Sequence, residues 1–457
     1  MEVFGCQMNK LDAELLASAL LEHGYVLTED MERAGVLLYY TCVVRKHAED
    51  RVYSRIGLLK ARKKLRPDLV IGILGCLAQS GGKELLRRFP QVDIVCGTAE
   101  FLRLPELIAE ARQGRAVDAL DLDAEVRFER RWNLGPNPAQ AYISVMRGCD
   151  QTCSFCIVPT TRGPEVSRSV AEIIEEARVL AGRGVVEVTL LGQTVNSYGK
   201  RLEPGRRIGL ARVLQELDRI PGLERIRFIT SHPRFMTEDL VAAMADLEKV
   251  CEYLHLPVQS GSDAQLRRMR RGYTSGRYRE IIDRCRARIP GFVVATDFIV
   301  GFPGETDAEF EESRRLLEDV RFQGSFIFKY SPRPGTRAAE MPDDVGEEVK
   351  KERNQTLLKL QQRISSEIHK ARIGSEEEVL VEGISKNDPN RLTGRNRAHQ
   401  IIVFPGRREE GLEGCLVRVR ITAATPLTLI GERLAGAVPG AIPAGAFVPL
   451  GEVGKIV

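Results

Sequence analysis

A regular alternation of short apolar runs with amphipathic, helix-periodic segments limits this sequence to folds built on parallel β-sheets. Near the N-terminus, the runs at residues 35–41 and 69–74 are continuously apolar, as in strands that are buried on both faces. A long basic segment with helical periodicity, at 45–64, separates them. The pattern predicts a small doubly wound α/β domain over residues 1–114.

The alternation resumes in larger units after residue 141. Strands are predicted at residues 141–146, 185–191, 225–230, 253–257, 292–300 and 324–330. Amphipathic helical segments lie between successive strands. Six βα units of this kind predict a parallel sheet curled into a partial (βα)6 barrel, an open version of the eight-fold barrel, over residues 135–368.

Short strands separated by Gly and Pro replace this pattern after a long charged helix predicted at 349–371. They predict a small C-terminal β-barrel over residues 370–434. Residues 116–138, which include Gly135-Pro136-Asn137-Pro138, are predicted to form a linker. Residues 435–457 are rich in Gly, Ala, Pro and Val and are predicted to form a loosely ordered tail.

The composition restricts where such a chain acts. A net charge of +4 permits local basic faces but does not by itself indicate a nucleic-acid partner. No stretch approaches the ~20 continuous apolar residues of a membrane span, and no basic segment followed by an apolar core opens the chain. We therefore expect a cytoplasmic protein with no membrane contact. Ten cysteines among 457 residues then favour metal binding or catalysis over a disulfide scaffold.

Three cysteines are clustered directly after the first predicted barrel strand. Cys149, Cys153 and Cys156 have the spacing Cys-x3-Cys-x2-Cys. Three thiolates in eight residues can bind one face of a [4Fe–4S] cluster and leave its fourth iron open to another ligand. A zinc site usually needs a second cysteine pair, which the sequence does not offer here, and three ordinary buried thiols are the remaining alternative.

A second set of three cysteines is dispersed in sequence. Cys6, Cys42 and Cys76 each follow a predicted strand of the N-terminal domain. Because the carboxyl ends of neighbouring parallel strands converge, these thiols can meet at one point. The alternative is that they are ordinary buried cysteines, and Cys96, which also ends a predicted strand, shows that position alone does not decide.

The central motif resembles that of the radical S-adenosylmethionine (SAM) superfamily, and the N-terminal motifs resemble those of its methylthiotransferase family. The stretches similar to this family include Gly5-Cys6-Gln7-Met8-Asn9, Thr41-Cys42-Val43, Gly75-Cys76-Leu77, Thr161-Arg162-Gly163, Gly192-Gln193-Thr194-Val195-Asn196 and Tyr330-Ser331-Pro332-Arg333. The resemblance is to the tRNA branch of MiaB type and covers residues 1 to about 434. It implies two [4Fe–4S] clusters, one on each cysteine set, with SAM as radical source and methyl donor.

The same resemblance implies an activity. The expected reaction is 2-methylthiolation of N6-dimethylallyl (isopentenyl) adenosine at position 37 of tRNA, next to the anticodon, with no catalytic residues beyond the clusters. An electron donor such as a flavodoxin or ferredoxin, and a sulfur source, are the other expected partners. The alternatives are the same chemistry on threonylcarbamoyl-adenosine or on a ribosomal protein, and, more distantly, a non-enzymatic iron–sulfur RNA-binding protein.

Candidate contacts to SAM lie at or near the predicted strand ends around the barrel mouth. They are Phe155, Gly192, Gln193, Gln259, Asp297 and Gly301. Glycine lets the backbone approach a ligand, glutamine and aspartate can bond ribose or methionine groups, and Phe155 can stack near adenine. Packing of turns and of the core is the alternative explanation for each.

Candidate RNA contacts are arginines, which pair with phosphate. They are Arg267, Arg268, Arg270, Arg271, Arg395 and Arg397. The first four lie in an arginine-rich stretch whose simpler interpretation is a solvated helix face. The last two lie in the C-terminal β-barrel, which resembles a TRAM RNA-binding domain.

One residue departs from the family pattern beside a predicted ligand. The family usually has Asn two residues before the second cysteine, and this chain has Tyr40. The cysteine is retained, but the polar neighbour implied by the resemblance is replaced by an aromatic residue.

Overall fold

The computed structural model describes residues 1–28, 30–43, 46–124, 139–200, 202 and 208–434. Most of the predicted linker, residues 125–138, and the whole predicted tail, 435–457, therefore lie outside the described residues.

The N-terminal domain is a five-stranded parallel sheet with its strands in chain order. The strands are β1 (Glu2–Phe4), β2 (Val36–Thr41), β3 (Val70–Gly75), β4 (Ile94–Cys96) and β5 (Val117–Ala119). The helices are α1 (Gln7–Glu22), α2 (Lys46–Leu65), α3 (Cys76–Arg88) and α4 (Leu104–Ala111). Helices α1 and α4 pack on one face and α2 and α3 on the other, so the prediction of a parallel sheet covered on both faces is confirmed.

Strand β5 corrects the predicted start of the linker. Its three residues pair with β4 at the sheet edge, inside the segment predicted to be irregular. A three-residue edge strand shows too little alternation to be recognised from its sequence. The N-terminal sheet therefore extends beyond residue 114.

The central domain is the predicted partial barrel. Its strands are β6 (Gln140–Ser144), β7 (Met146–Arg147), β8 (Val166–Ser167), β9 (Glu187–Leu191), β10 (Arg225–Phe228), β11 (Tyr253–His255), β12 (Val293–Val300) and β13 (Gly324–Lys329). Its helices are α5 (Val158–Arg162), α6 (Val170–Gly182), α7 (Leu210–Asp218), α8 (Glu238–Asp246), α9 (Asp263–Arg268), α10 (Ser275–Arg288), α11 (Asp307–Val320) and α12 (Glu347–Lys370). Two parallel sheets, β6-β9-β10 and β11-β12-β13, meet through a bridge between Ile226 and Val250.

Alternation along the barrel strands separates an apolar outer layer from a polar interior. Ile226 and Phe228 of β10 belong to the large apolar core shared with the helices. Arg225 and Arg227 alternate with them and are fully or almost fully buried. The short antiparallel pair β7–β8 follows β6, next to the central cysteine motif.

The C-terminal domain is a closed five-stranded barrel, as predicted. Its strands, in the order β14-β15-β16-β18-β17, are β14 (Glu376–Ser385), β15 (Asp388–Arg395), β16 (Ile401–Pro405), β18 (Leu429–Arg433) and β17 (Leu416–Ala424). The sequence of strand β15, DPNRLTGR, is mostly polar and shows no apolar alternation that would predict a strand. Across the described ranges, no helix is both long and apolar enough to cross a membrane.

Candidate metal centres

The N-terminal cysteine set lies at the carboxyl ends of three neighbouring strands. Cys6 follows β1, Cys42 follows β2, and Cys76 is the first residue of α3, directly after β3. These strands are adjacent in the sheet, so the fold brings the cysteines to one edge. A Cβ added to Gly5 would lie 2.6 Å from the Cys42 Cβ, which shows how closely the first two chain segments approach.

The thiols of this set interact with one another. A hydrogen bond with the Cys42 thiol lowers the pKa of Cys6 to about 6, against the opposing effect of burial, and the Arg162 guanidinium adds to the lowering. Burial raises the pKa of Cys76, and Arg162 acts in the opposite direction. The donor chemistry suits a thiolate-binding metal, because metals take the deprotonated thiol.

A buried ion pair, which sequence analysis did not identify, lies beside this set. Arg162, at the end of α5, donates to Asp12 Oδ2 at 2.7 Å and to Asn9 Oδ1 at 3.1 Å. Arg162 and Asp12 are almost completely buried, and they join the central domain to helix α1. The stretch Thr161-Arg162-Gly163 resembles a family motif, but only the fold shows that its arginine reaches the other domain.

Tyr40 belongs to the same network. Its hydroxyl donates to Asp12 Oδ2 at 2.9 Å, and its side chain is fully buried. A Cβ added to Gly75 would lie 2.7 Å from the Tyr40 ring, so the ring also fixes the turn that precedes Cys76. Tyr40 therefore provides a polar contact to the site through its hydroxyl, although it stands where the family usually has Asn.

The central set lies in the loop between β7 and α5. The Cys149 Sγ lies 3.2 Å from Thr194 Oγ1, and the Arg271 guanidinium donates to Cys153 Sγ at 3.3 Å. Gly148 has a φ of +73°, and a Cβ there would lie 1.9 Å from the Pro164 carbonyl oxygen. This turn therefore requires glycine immediately before the first ligand candidate.

Burial dominates the electrostatics of the central thiols. It raises the pKa of Cys156 to about 12, with Cys153 adding to the rise. It also raises the pKa of Cys149, although contacts with Thr194 and the Gln151 amide lower it in part. Such thiols become thiolates when a metal ion compensates the cost of the buried charge.

Both sets supply soft sulfur donors of the kind that iron–sulfur clusters take. Within the described ranges, however, no three His, Cys, Asp or Glu side chains are already arranged around a common metal position. The two sites rest on the contacts given above and on the sequence motifs. A buried polar atom beside the central set also fits a bound group, because Gln193 Oε1 has no hydrogen-bond partner among the described residues.

The candidate SAM residues have defined neighbours in the fold. Gln259, with a φ of +70°, pairs with the β12 backbone, and Asp297 Oδ1 lies 3.0 Å from His255 Nε2. Close packing by itself explains why the two candidate glycines lack a side chain. Cβ atoms at Gly192 and Gly301 would lie 2.6 Å from Met146 and 2.2 Å from Lys350, respectively. Phe155 packs beside a small apolar cluster with Met269, Phe302, Tyr330 and Ala338.

The arginine-rich stretch around α9 separates into exposed and buried members. Arg267 and Arg270 are exposed. Arg268 makes a two-pronged ion pair with Glu309 at 2.7 and 2.8 Å. Arg271 is buried against the central cysteines, which places it in the interior rather than on a surface that RNA could reach.

The two candidate arginines of the C-terminal barrel have ion-pair partners within the protein. Arg395 pairs with Glu382 at 3.0 Å. Arg397 forms a two-pronged ion pair with Glu252, the residue before β11. From β10, Arg225 donates to the Arg395 carbonyl oxygen at 2.8 Å, and Arg227 to that of Arg397 at 2.7 Å. The loop that was predicted to face RNA is therefore part of the interface between domains.

The four other cysteines, among them Cys96, are buried thiols. Cys251, Cys285 and Cys415 match no motif of the family, and we expect them to be structural.

Three family models match the chain. The radical SAM superfamily model matches residues 143–317, the uncharacterized protein family UPF0004 matches 1–97, and the TRAM domain matches 370–434. Among solved structures, the radical SAM methyltransferase TsrM from Kitasatospora setae, with cobalamin and a [4Fe–4S] cluster bound, has a TM-score of 0.55. That likeness covers 74% of this chain and 77% of TsrM at 16% identity, and it shows the fold.

Curated relatives are much closer in sequence. The tRNA-2-methylthio-N(6)-dimethylallyladenosine synthase of Thermoanaerobacter sp. (strain X514) is 45% identical over 94% of this chain and 91% of its own length. The enzyme of the same name from Bordetella petrii is 45% identical over 93% of this chain and 89% of its own. The matching domains occur in the same order as in the fold described above. The protein therefore belongs to the methylthiotransferase family of radical SAM enzymes, among the tRNA-2-methylthio-N(6)-dimethylallyladenosine synthases.

Proposed function

We propose that this enzyme adds a methylthio group to carbon 2 of N6-dimethylallyladenosine at position 37 of tRNA, next to the anticodon. The observation that carries the proposal is the high identity to synthases of this name over nearly the whole chain. The two three-cysteine sets at strand ends support it, because sulfur insertion and radical formation each need a site.

Cys149, Cys153 and Cys156 would hold one [4Fe–4S] cluster, and Cys6, Cys42 and Cys76 a second one. When bound, the clusters and SAM supply the electron, the radical chemistry at an unactivated C–H bond, the sulfur and the methyl group. The chain's own residues position these groups and exclude water from them.

Three polar side chains would orient the groups at the central site. Thr194 and Arg271 contact the sulfurs of Cys149 and Cys153, which fixes the direction of both thiols. Gln193 Oε1 is available to accept a hydrogen bond from SAM. The other candidate SAM residues, namely Phe155, Gly192, Gln259, Asp297 and Gly301, are proposed to shape the same pocket.

The partners follow from the chemistry. The target base is in an anticodon loop, where an unpaired base is easier to extrude into a pocket than a paired one. We propose Arg267 and Arg270 as phosphate contacts, a flavodoxin or ferredoxin as electron donor, and a separate sulfur source, with the cytoplasm as the compartment. The barrel and TRAM boundaries, 135–368 and 370–434, are part of this proposal.

Iron and acid-labile sulfide per chain, after anaerobic reconstitution, test the two cluster sites. Each [4Fe–4S] cluster contributes four irons, so we expect about eight for the wild type and about four when either cysteine set is replaced by alanine. A Cys285→Ala/Cys415→Ala variant is the matched control and should keep about eight. About four irons in the wild type, and none after replacement of the central set, would remove the second site.

Mass spectrometry of tRNA nucleosides tests the substrate. Loss of methylthio-isopentenyladenosine in a deletion strain, and its return with the wild-type gene, would support the proposed reaction. Loss of the methylthio group from threonylcarbamoyl-adenosine or from a ribosomal protein instead would reassign the substrate. RNA binding without release of 5′-deoxyadenosine would indicate a non-enzymatic protein.

A further inference from the structure

Two large aromatic side chains are exposed on the last barrel strand. Phe326 and Phe328 of β13 are 53% and 37% exposed to solvent, respectively. Their rings are nearly parallel, with an interplanar angle of 12° and centroids 6.5 Å apart. Ile327, which lies between them on the strand, is buried in the core shared with the helices. The pair therefore faces away from the helices, toward the inside of the open barrel.

The strand register places this pair beside polar groups of the barrel interior. Phe326 is in register with Asp297, and Phe328 with Ile299. The His255 ring meets Phe326 edge to face with centroids 6.3 Å apart, and it also contacts Asp297 at 3.0 Å. An aromatic surface with hydrogen-bonding groups at its border suits a flat heterocycle better than a purely apolar chain.

The aromatic pair is linked to the central cysteine loop through one apolar cluster. Ile299, the register neighbour of Phe328, packs beside the same apolar cluster as Phe155. Phe155 lies in the chain between Cys153 and Cys156. A base lying on the pair is therefore near the candidate radical site, inside the barrel rather than on its outer surface.

We propose that Phe326 and Phe328 form the binding surface for the N6-dimethylallyl adenine ring of the substrate. The purine stacks on the two rings and the five-carbon dimethylallyl group covers their remaining apolar area. Aromatic side chains bind extruded bases in this way, and apolar burial adds to the interaction. The inference deepens the proposed function and rests on it, because it names the residues that recognise the prenylated base.

Binding of two RNA hairpins to the reconstituted enzyme tests this assignment. Both carry the same anticodon stem and loop, one with N6-dimethylallyladenosine at position 37 and one with adenosine. We expect the wild type to bind the prenylated hairpin more tightly. Phe326→Ala should weaken that binding roughly tenfold, with a smaller effect on the unmodified hairpin, because one stacking contact is lost.

Two variants control for general damage. Leu358→Ala removes a side chain on α12 that is 45% exposed, and it should leave both affinities unchanged. Phe326→Trp keeps an aromatic surface and should retain the preference for the prenylated hairpin, whereas a residue needed only for folding would tolerate this larger ring poorly.

Equal wild-type affinity for the two hairpins, or an unchanged preference in Phe326→Ala and Phe328→Ala, would overturn the inference. Product analysis of the same wild-type samples separates its failure from that of the proposed function. If the enzyme forms the methylthiolated base but the alanine variants keep the preference for the prenylated hairpin, the inference is overturned and the proposed function stands. Binding without preference, together with no product, would overturn both.

Discussion

The two cysteine sets are built in different ways. The central set occupies one loop, and among the described residues its thiols have polar contacts with a hydroxyl, an arginine and the local backbone. The N-terminal set comes from three strands and lies beside the buried ion pair of Arg162 and Asp12, which crosses from one domain to the other. Its geometry therefore depends on how two domains fit together.

This difference makes the N-terminal set the more sensitive one to distant changes. Arg162 follows the central cysteines in the chain, yet it interacts with Asp12 and with the thiols of Cys6 and Cys76. A change that disturbs the interface between the domains should alter the geometry of the N-terminal cysteine set before that of the central set. The central set should respond most to changes in its own loop and in the residues that contact it, although Ile157, which follows Cys156, also packs against Val43 and Cys76.

Replacing Arg162 by Met should have the largest effect on stability. It leaves the buried Asp12 carboxylate without its cation, and such a loss costs about 3–5 kcal/mol of the free energy of unfolding. Urea unfolding of the cluster-free protein, followed by circular dichroism, measures the change. Arg87→Met, in an ion pair whose side chains are both at least 70% exposed, is the control and should have little effect. Equal effects of the two changes would contradict the structural role of Arg162.

Tyr40→Phe should have the next largest effect. The change removes the hydroxyl that donates to Asp12, and a hydrogen bond to a charged group contributes about 2 kcal/mol. Tyr198→Phe removes a bond of similar burial to a neutral carbonyl, that of Arg168, and should cost about 1 kcal/mol. A smaller loss at Tyr40 than at Tyr198 would show that the Asp12 network does not depend on this hydroxyl.

Acid should weaken the surroundings of the central set through His232. Burial lowers the pKa of His232 from 6.5 to about 2, with Arg271 and Arg234 adding to the effect. Below about pH 6.5 the unfolded chain binds a proton that the folded protein does not, so stability falls as pH falls. The contribution between about pH 6.5 and about pH 5.5 is about 1 kcal/mol.

The His232→Phe variant isolates this contribution. It keeps a ring that can pack against Tyr273 and Phe235, but it cannot take up a proton. The wild type should lose about 1 kcal/mol more than the variant over that pH unit, measured by urea unfolding at each pH. Parallel pH curves for the two proteins would show that His232 does not account for the acid sensitivity.

Thr194→Val should have the smallest effect. It replaces the hydroxyl beside Cys149 with a methyl group of similar size and should cost less than about 1 kcal/mol. Iron content should fall only slightly, because the neighbouring backbone still fixes the loop. Thr160→Val, at an exposed position of α5, is the control. A loss as large as that of Tyr40→Phe would mean that the two sets depend equally on their polar neighbours.

The sequence was sufficient for the long regular elements and for the central motif, but not for the short edge strand β5 or the mostly polar strand β15. Strand and helix periodicity predicted the N-terminal sheet, the partial barrel and a small C-terminal β-barrel, and the spacing of Cys149, Cys153 and Cys156 is visible in one stretch of chain. The position of Arg162 against Asp12 was not predictable, because it depends on how two domains pack. The same holds for Arg397, whose charge suggested RNA although its partner is Glu252.

The arginines of β10 have a consequence for how the C-terminal barrel is held in place. Because Arg225 and Arg227 donate to the backbone of the 395–397 loop, buried hydrogen bonds join the C-terminal barrel to the central barrel. We expect loss of either arginine to loosen the position of one domain relative to the other, while the fold of each domain is kept.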